Sequence, residues 1–480
     1  MNRRAFLRRG TIAGTSLSAV QSRRFAPAAA APSAPTSPRT DEFEPLGRTP
    51  VEGAAEAVVG DDGTVAYLAA TNGFVTVDVS DPAEPTILAE ERQLEIDDRR
   101  LTEILDVKVD GDRLVVPGPA NRTQGDVFQG FLLYDVSDPA EPVSVGDPVE
   151  TGYHIHNCYL DGDVLYVVVN GSEDHPDSPD ENRLDVFDVS DDEIERIGSW
   201  SHLDREPEWR EVSWFARYLH DVYVHDDVAY LAHWNAGTFL LDVADPADPK
   251  YLSHVRDTDL EEQRAIDDDT EAQQGLPGND HYSAVDDAGE LMAVGREAWE
   301  TGGDEPDGPG GIDLYDVSDP ADPAHVSSIA APEAEDASYH DGEWTTAHNF
   351  ELRNDLLHAS WYQGGVSIHD VSDPADPVEL VRWEDRELAA FWTARVAEPG
   401  ETIVASSTEM ISAYVEADPE GALYTFPIVD PTDDEDEGDD GGGATSGSDP
   451  IPGFAGAVGV AGLAGGVLGL EWFRRRRNEG

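Results

Sequence analysis

Two residue types that often stabilise or functionalise proteins are nearly missing from this sequence. Cysteine occurs once among the 480 residues, as Cys158, so the chain can form no intramolecular disulfide, thiolate zinc site or iron–sulfur cluster from its own residues. Lysine occurs only at Lys108 and Lys250. The fold must therefore be held by packing alone, and Cys158 is interpreted as a small buried apolar residue.

Positive charge is scarce throughout the chain. Lys plus Arg number 31 against 100 Asp plus Glu, a formal net charge of -69. Such a chain repels nucleic acid and anionic membrane surfaces. Evenly spread acidity is typical of a protein hydrated in multimolar salt, where the Debye length is about 3 Å or less, and predicts a salt-loving source. The 39% of hydrophobic residues favours a folded core over an acidic disordered chain.

Several catalytic motifs are absent as well. The sequence contains no GxSxG, no Walker phosphate-binding loop, no GxGxxG followed by an acidic residue and no HExxH. It also lacks a long apolar stripe with the 3.6-residue period of a helix. These absences leave strands as the main elements and give no motif-based assignment to an enzyme class.

The N-terminal segment 1–40 is predicted to be an export signal followed by a linker. Arg3 and Arg4, with the weakly apolar stretch 11–20 after them, resemble a twin-arginine signal. The resemblance implies export of the folded chain by the twin-arginine translocase. The Ala- and Pro-rich run 28–38 has the composition of a linker that follows a cleavage site.

The C-terminal segment divides into a stalk and an anchor. Residues 431–450 are acidic and rich in Gly and Ser, which predicts a solvated stalk. Within 451–480, the uncharged apolar run 454–470 is just long enough to cross a hydrocarbon core of about 30 Å, and the arginines at 474–477 follow it. We therefore expect a C-terminal transmembrane helix that anchors the protein at the extracellular face of the cell membrane.

The same segment carries the pattern of a sorting signal. Pro452, Gly453 and Phe454 precede the apolar helix and the basic cluster, an order that resembles the PGF signal of haloarchaeal surface proteins. The resemblance implies that an archaeosortase removes the helix and transfers the protein to a lipid. Attachment to the membrane through the helix and attachment through a lipid both stay open.

One repeat recurs between these two ends. Each copy is an alternating strand, a turn rich in Asp and Pro, and a further short strand, and the copies lie roughly 40 to 70 residues apart. Three of them read VTVDVSDPAEPTIL, FLLDVADPADPKYL and VSIHDVSDPADPVEL. A second pair of strands, such as DVYVHDDVAYLA, precedes each copy. Units of four strands with this period are typical of the blades of a β-propeller.

The units predict an all-β fold, a seven-bladed β-propeller of four-stranded antiparallel blades over residues 41–430. The seventh unit ends after its third strand. Segment 43–51 contains EPLGRTP, which echoes the outer strand EPVSVGDP, and is expected to complete the last blade so that no sheet edge is left unpaired. The predicted units span 54–89, 103–147, 153–200, 219–255, 280–329, 346–383 and 390–427.

The turns resemble a known repeat family. The stretches TVDVSDP, LYDVSDP, LLDVADP and IHDVSDP are similar to the LVIVD repeat, a strand followed by an Asp-Ser/Ala-Asp-Pro turn, and cover most of residues 54–383. The resemblance implies the propeller fold and no defined activity. Because proline fixes φ and Asp side chains bond their own backbone, the turns are interpreted as structural rather than as calcium sites.

Long insertions are expected on one face of the propeller. They join the second strand of a blade to the third, or one blade to the next, and elaborated loops on a rigid scaffold are where function concentrates. The innermost strand of each unit begins at this face. Four units carry a histidine there at one repeat position, namely His156, His220, His281 and His348. The other three units hold Ala55, Leu105 and Trp392.

The four histidines have two interpretations. In the first they ring the mouth of the central channel and, joined by His154, form a zinc or copper site. In the second each histidine packs separately between two blades, as an inherited residue with its own hydrogen bond. A metal site would make the protein a metal-dependent enzyme, distantly like selenium-binding proteins and copper-dependent methanethiol oxidases in architecture and histidine placement alone.

The primary functional hypothesis is a ligand- or partner-binding module that acts through the long-loop face, with the metal-dependent enzyme as the alternative. Trp234, Tyr362 and Trp392 are candidate ligand-binding residues of that face. Asn121 and Asn170 start N-glycosylation sequons in predicted loops. The isolated histidines are His175, His202, His325 and His369, and most of these four are expected at the surface.

Overall fold

The computed structural model describes residues 43–429, apart from residues 124, 171–181, 192, 267–272, 304–305 and 398–401. The predicted export signal with Arg3 and Arg4 and the predicted sorting signal with Pro452, Gly453 and Phe454 lie outside the described residues. So does the predicted transmembrane helix. Across the part of the chain that is described, no helix has the length and apolar character needed to cross a membrane.

The described chain folds into seven four-stranded antiparallel sheets, each a blade of a propeller. Blade 1 contains β2 (Ala57–Val59), β3 (Val65–Ala69), β4 (Gly73–Asp78) and β5 (Thr86–Arg92). Blade 2 contains β8 (Lys108–Asp110), β9 (Arg113–Gly118), β10 (Gly130–Asp135) and β11 (Val143–Glu150). Blade 3 contains β12 (Cys158–Asp161), β13 (Val164–Val169), β14 (Arg183–Asp188) and β15 (Glu195–Ser201).

The next three blades repeat this order along the chain. Blade 4 contains β16 (Asp221–His225), β17 (Val228–His233), β18 (Gly237–Asp242) and β19 (Lys250–Val255). Blade 5 contains β20 (Asp280–Val285), β21 (Leu291–Arg296), β22 (Ile312–Asp316) and β23 (Ala324–Ile329). Blade 6 contains β24 (Phe350–Arg353), β25 (Leu356–Ser360), β26 (Val366–Asp370) and β27 (Val378–Trp383). The predicted all-β seven-bladed propeller is confirmed.

Blade 7 joins the two ends of the described chain. It contains β28 (Phe391–Ala397), β29 (Thr402–Ser407), β30 (Ala422–Pro427) and, as its outer strand, β1 (Gly47–Pro50). β1 pairs antiparallel with β30, with Gly47 opposite Thr425, and lies within the segment 43–51. Phe43 stacks on Phe426 at 5.3 Å between ring centroids and is 1% exposed. The circle of blades is thus closed by main-chain pairing and by buried aromatic contact.

The remaining elements lie in the connections. A two-stranded ribbon, β6 (Glu95–Ile96) with β7 (Arg99–Arg100), joins blades 1 and 2. The helices are short: α1 (His202–Arg205), α2 (Leu260–Ala265) and 3-10 turns at Pro207–Glu211, Phe215–Arg217 and Met410–Ala413. The middle strands are buried on both faces, as in β9 and β13, because each blade packs against two neighbours.

The Asp- and Pro-rich turns bind neighbouring blades together. Asp242 Oδ1 accepts a hydrogen bond from the main-chain nitrogen of Ala244, two residues further on, and the turn is thereby shaped from within. In each of three such turns, the carbonyl oxygen of the first proline accepts a hydrogen bond from a Ser or Thr hydroxyl of the preceding blade. These pairs are Thr76 with Pro139 at 2.6 Å, Ser253 with Pro320 at 2.5 Å and Ser327 with Pro374 at 2.6 Å. The turns therefore have a structural role, and each of these hydrogen bonds from a hydroxyl to a proline carbonyl is called a clasp.

Candidate metal centre at the channel mouth

The four histidines of the shared repeat position stand next to one another at the start of the inner strands. Ring centroids lie 4.2 Å apart for His156 and His220, 3.7 Å for His220 and His281, and 4.5 Å for His281 and His348. Trp392 continues the series at 4.3 Å from His348. The structure thus brings the four imidazoles, here called the histidine ring, to one place rather than into separate blade interfaces.

A bulge in the innermost strand of blade 5 places its histidine in the ring. Asp280 pairs with Arg296 and Tyr282 with Gly295, so His281 is an extra residue between them. Blade 7 has the same irregularity between Phe391 and Thr393, at Trp392. A bulge of this kind changes the direction of one side chain without breaking the strand. The elements that position the ring are therefore rigid inner strands.

Main-chain carbonyls fix the tautomer of three of the imidazoles. Nδ1 lies 3.1 Å from the carbonyl oxygen of Ala120 in His156 and 3.0 Å from that of His281 in His220. In His348 it lies 2.6 Å from the carbonyl oxygen of Trp392. Because a carbonyl can only accept, each Nδ1 carries the hydrogen, and Nε2 of the neutral ring keeps its lone pair. Three imidazole lone pairs, one on each Nε2, are thus available to coordinate a metal ion.

His281 has the opposite arrangement. Its Nε2 lies 3.3 Å from Oε2 of Glu297, whereas its Nδ1 is buried and has no hydrogen-bond partner among the described residues. Glu297 is held in turn by Tyr362, whose hydroxyl donates to Oε1 at 2.5 Å. A carboxylate that accepts from one imidazole nitrogen, while the other nitrogen stays free, is the usual support of a metal-bound histidine.

Burial keeps the four imidazoles of the histidine ring neutral. It lowers the pKa of His156 to about 4 and that of His348 to about 3. The pKa values of His220 and His281 fall well below the ordinary value, first through burial and then through the neighbouring imidazoles. Neutral imidazole is the form that binds a metal, so the ring binds an ion without first losing protons.

Burial also shifts the two nearest acids. It raises the pKa of Glu297 to about 7, which the Tyr362 hydrogen bond partly offsets. The pKa of Asp221 rises well above its ordinary value through burial, and Lys108 offsets part of that rise. Both carboxyl groups lie close to the histidine ring, and among the described residues no Lys or Arg forms an ion pair with either of them.

A second ring of polar side chains lies one residue further along the inner strands. Glu56, Asp106, Asn157, Asp221 and Asn349 line a cavity together with the histidine ring, Leu105 and Trp392. The cavity measures about 10 Å³, which is about the space that one water molecule needs. Sequence reasoning missed this polar floor. The signal was available, because the residue after the histidine position is acidic or an amide in five of the seven units.

Two of the floor acids belong to a buried ionic network. Glu56 accepts from Arg395 at 2.9 Å and from Thr393 at 2.8 Å. Asp106 pairs with Lys108, and its Oδ2 accepts from the main-chain nitrogen of Cys158 at 2.9 Å. Cys158 is fully buried, in agreement with its interpretation as a packing residue. The network lies directly against the cavity, because Glu56 and Asp106 also line it.

The remaining sequence candidates lie around the ring. Trp234 stacks near His220, with ring centroids 6.2 Å apart and an interplanar angle of 20°. Tyr362 is 1% exposed, so it supports Glu297 rather than offering a surface to a large ligand. His154 does not line the cavity; its Nε2 lies 3.2 Å from the hydroxyl of Tyr218. Trp392 and Trp234 are therefore the aromatic candidates nearest to solvent.

The fold contradicts two expectations at other positions. Asn170 is 1% exposed, and its Nδ2 donates to the carbonyl of Leu219 at 2.7 Å, so the atom that would carry a glycan is engaged inside the protein. Asn121 is exposed, and its glycosylation stays a prediction. His202 and His369 are buried rather than exposed: His202 contacts His233 and Phe239 of blade 4, and His369 contacts Ser367 and Trp361 within blade 6.

The ligand atoms of one group of side chains converge especially closely. Within the described ranges, His220, His281 and Glu297 are the group of three or more potential metal-binding residues whose ligand atoms all lie within 4.8 Å of one another. The sequence gives no signal for Glu297, since this residue follows β21 and reaches His281 only in the folded blade. Of this trio, His220 and His281 are neighbouring members of the histidine ring, and Glu297 supports His281.

Comparison with known proteins supports the repeat and the fold. A family model described as LVIVD repeat matches residues 62–90 and 216–257. The chain carries LVIVD repeats. Among solved structures, the β-propeller domain of Cps50 (Swd1) from Myceliophteria thermophila is similar, with a TM-score of 0.52 at 8% identity over 81% of this chain and 100% of that domain. At that identity the likeness shows the fold alone. No curated protein matches the sequence.

The centre of this LVIVD-repeat propeller has the chemistry of a borderline metal site. Imidazole nitrogen and carboxylate oxygen together suit zinc, copper and similar divalent ions. The four imidazoles come from blades 3 to 6, whereas at the same repeat position blades 2 and 7 contribute Leu105 and Trp392 to the cavity wall. A set of ligands confined to one side leaves part of the coordination sphere open to a further molecule.

Proposed function

We propose that this LVIVD-repeat propeller binds a transition metal ion, zinc or copper, in the histidine ring and uses that ion to bind a ligand at its long-loop face. One observation carries the proposal. Each of the four imidazoles has one nitrogen engaged with a protein acceptor, three with main-chain carbonyls and His281 with Glu297. The second nitrogen of each ring then holds a lone pair for an ion.

The open side of the ring supports ligand exchange rather than a purely structural ion. Structural zinc sites are closed by four protein ligands, whereas sites that bind or transform a ligand keep a position free. Here Leu105 and Trp392 offer no strong ligand atom on the side opposite the histidines. A small ligand that reaches the ion would pass between the aromatic side chains Trp234 and Trp392.

A metal-dependent enzyme is the second candidate function, and Glu297 favours it. A carboxyl group whose pKa is raised to about 7 exchanges protons readily near neutral pH. Its Oε2 lies 3.3 Å from Nε2 of His281, and the hydroxyl of Tyr362 orients the carboxyl group by donating a hydrogen bond to Oε1. Such a group can hold or release a proton beside a bound ligand, which a site for passive binding does not need.

The proposed location is the extracellular face of the cell membrane. The twin-arginine pattern at Arg3 and Arg4 and the PGF pattern at Pro452 to Phe454 support export, processing by an archaeosortase, and attachment through a helix or a lipid. Protease treatment of intact cells tests this location. It should remove the repeat region while a cytosolic marker survives; survival of both would contradict the proposal.

Metal analysis of the purified protein in multimolar salt tests the metal site. We expect close to one equivalent of zinc or copper in the wild-type protein, and loss of the ion in His220→Ala and His348→Ala. His325→Ala is the matched control, because His325 is an exposed histidine away from the ring, with half of its side chain accessible. A protein that takes up neither metal, or ring variants that keep it, would contradict the proposal.

A further inference from the structure

Three buried oxygen atoms at the floor of the cavity have no hydrogen-bond partner among the described residues. They are Oδ1 of Asn157, Oδ2 of Asp221 and Oδ1 of Asn349. The three residues are 6%, 2% and 3% exposed, and all line the cavity below the histidine ring. A buried acceptor without a donor is costly, so three in one small cavity indicate an occupant that donates to them.

An amide oxygen, or the oxygen of an ionised carboxylate, can only accept hydrogen bonds or bind a cation. Asn349 Nδ2 donates to Glu56 Oε2 at 2.5 Å, and because a carboxylate cannot donate to a carbonyl, this contact fixes which amide atom remains for the cavity. The floor therefore presents oxygen lone pairs upward, while the histidine ring presents nitrogen lone pairs from above. A ligand between them must carry positive charge or hydrogen atoms on both sides.

The charges beneath the cavity leave one acid unmatched. Arg395 pairs with Glu56 at 2.9 Å. Lys108 pairs with Asp106 and lies 3.8 Å from Glu56. These two cations offset these two carboxylates. Asp221 is the third carboxyl group of the floor, and within the described part of the chain no Lys or Arg forms an ion pair with it.

We propose that the bound ion is divalent and that Asp221, together with Asn157 or Asn349, accepts the two hydrogen bonds of a water molecule on that ion. This inference rests on the proposed function. The cavity has room for about one water molecule. Asp221 belongs to the polar floor one residue beyond the histidine position, so in this proposal it acts on the ion through this water rather than as a direct ligand.

The oxygen floor also determines which ion the site prefers. Oxygen ligands and water suit Zn²⁺ and other divalent ions, whereas Cu⁺ prefers soft ligands and low coordination numbers. A water on a divalent ion is strongly polarised and donates both hydrogens, which satisfies two of the three unpaired acceptors. Asp221 supplies the negative charge that compensates part of the charge of a divalent ion. The same carboxylate gives no comparable advantage to Cu⁺ without a bound water.

Competition with a chromophoric chelator tests the inference on the full chain, with Zn²⁺ as one probe and Cu⁺, under anaerobic conditions, as the other. Loss of an outer-shell partner typically weakens metal binding about 10–100-fold. We expect a weakening of that size for Zn²⁺ in Asp221→Asn and little change for Cu⁺. The double variant Asp221→Asn/Asn157→Asp returns one carboxylate to the floor and should recover part of the Zn²⁺ affinity.

Thermal melts of the metal-free variants distinguish loss of the fold from loss of the site. If Asp221→Asn does not fold, Asn157→Asp alone serves instead, and it should tighten Zn²⁺ binding because it adds a second carboxylate. Unchanged Zn²⁺ affinity in both single variants, or equal effects on the two ions, would overturn the inference. Failure of the wild-type protein to bind either ion would instead overturn the proposed function.

Discussion

The hydroxyl of Thr425 lies 2.5 Å from the carbonyl oxygen of Pro82, so the last blade donates a hydrogen bond to the Asp- and Pro-rich turn of the first. Thr425 belongs to β30, the strand that also pairs with β1. The closing interface therefore contains the same clasp that Ser327 and Pro374 form between blades 5 and 6. Closure does not require a special contact between the first and last blades.

We expect Thr425→Val to lower the free energy of unfolding by about 1 kcal/mol, because it removes one neutral hydrogen bond and leaves a carbonyl unpaired. Ser327→Ala removes the equivalent clasp between blades 5 and 6 and should cost a similar amount. Chemical denaturation in constant high salt measures both. A loss several times larger at Thr425 would show that closure of the circle depends on this bond more than the other interfaces do.

Phe43 anchors the closing strand, and its removal should be far more costly. Phe43→Ala deletes a ring that is 1% exposed and stacked on Phe426, so we expect a loss of about 3 kcal/mol or more. Leu46→Ala is the matched control, because Leu46 lies in the same segment and is 43% exposed. Denaturation midpoints compare the two. Equal effects would show that β1 contributes little to the stability of blade 7.

Glu103 should make stability depend on pH. Burial raises its pKa from the ordinary 4.5 to about 7. Between these values the folded protein holds the proton more tightly than the unfolded chain. The stabilisation is therefore complete below pH 4.5 and is lost as the pH rises through 7.

Glu103→Gln removes this titration, so its free energy of unfolding should decline less than that of the wild type from pH 4.5 to 8. The difference between the two proteins is expected to be up to about 3 kcal/mol. Denaturation curves across this range, at constant salt, supply the measurement. Parallel curves for the two proteins would exclude Glu103 as the source of the pH dependence.

Salt should stabilise the protein strongly. With a net charge of -69, self-repulsion acts against the compact state, and it is screened when the Debye length falls from about 10 Å at 0.1 M to about 3 Å at 1 M salt. We expect the melting temperature to rise steeply over this range and then to level off. KCl and NaCl should act alike in this range if screening dominates. A melting temperature independent of salt would contradict this interpretation of the acidic composition.

The sequence predicts the blades and the register of the histidine ring because both depend on repetition. A strand pattern repeated along the chain fixes where His220 and His348 begin their inner strands, and the propeller then brings them together. Glu297 could not be found in this way, since its contact with His281 joins different strands of one blade. The expectation for Asn170 was wrong for a related reason. The sequon indicates a loop, but in the folded chain the Asn170 side chain is buried and hydrogen-bonds both the carbonyl oxygen and the main-chain nitrogen of Leu219.

The scarcity of lysine gives the described propeller a single accessible amine. Lys108 is buried in the ionic network of the channel, whereas Lys250 has 60% of its side chain exposed. Lys250 begins β19 directly after an Asp- and Pro-rich turn, at the end of blade 4 opposite the histidine ring. A lysine-directed coupling reagent would therefore attach this region to a bead or sensor chip in one orientation, with the metal centre directed toward the solution.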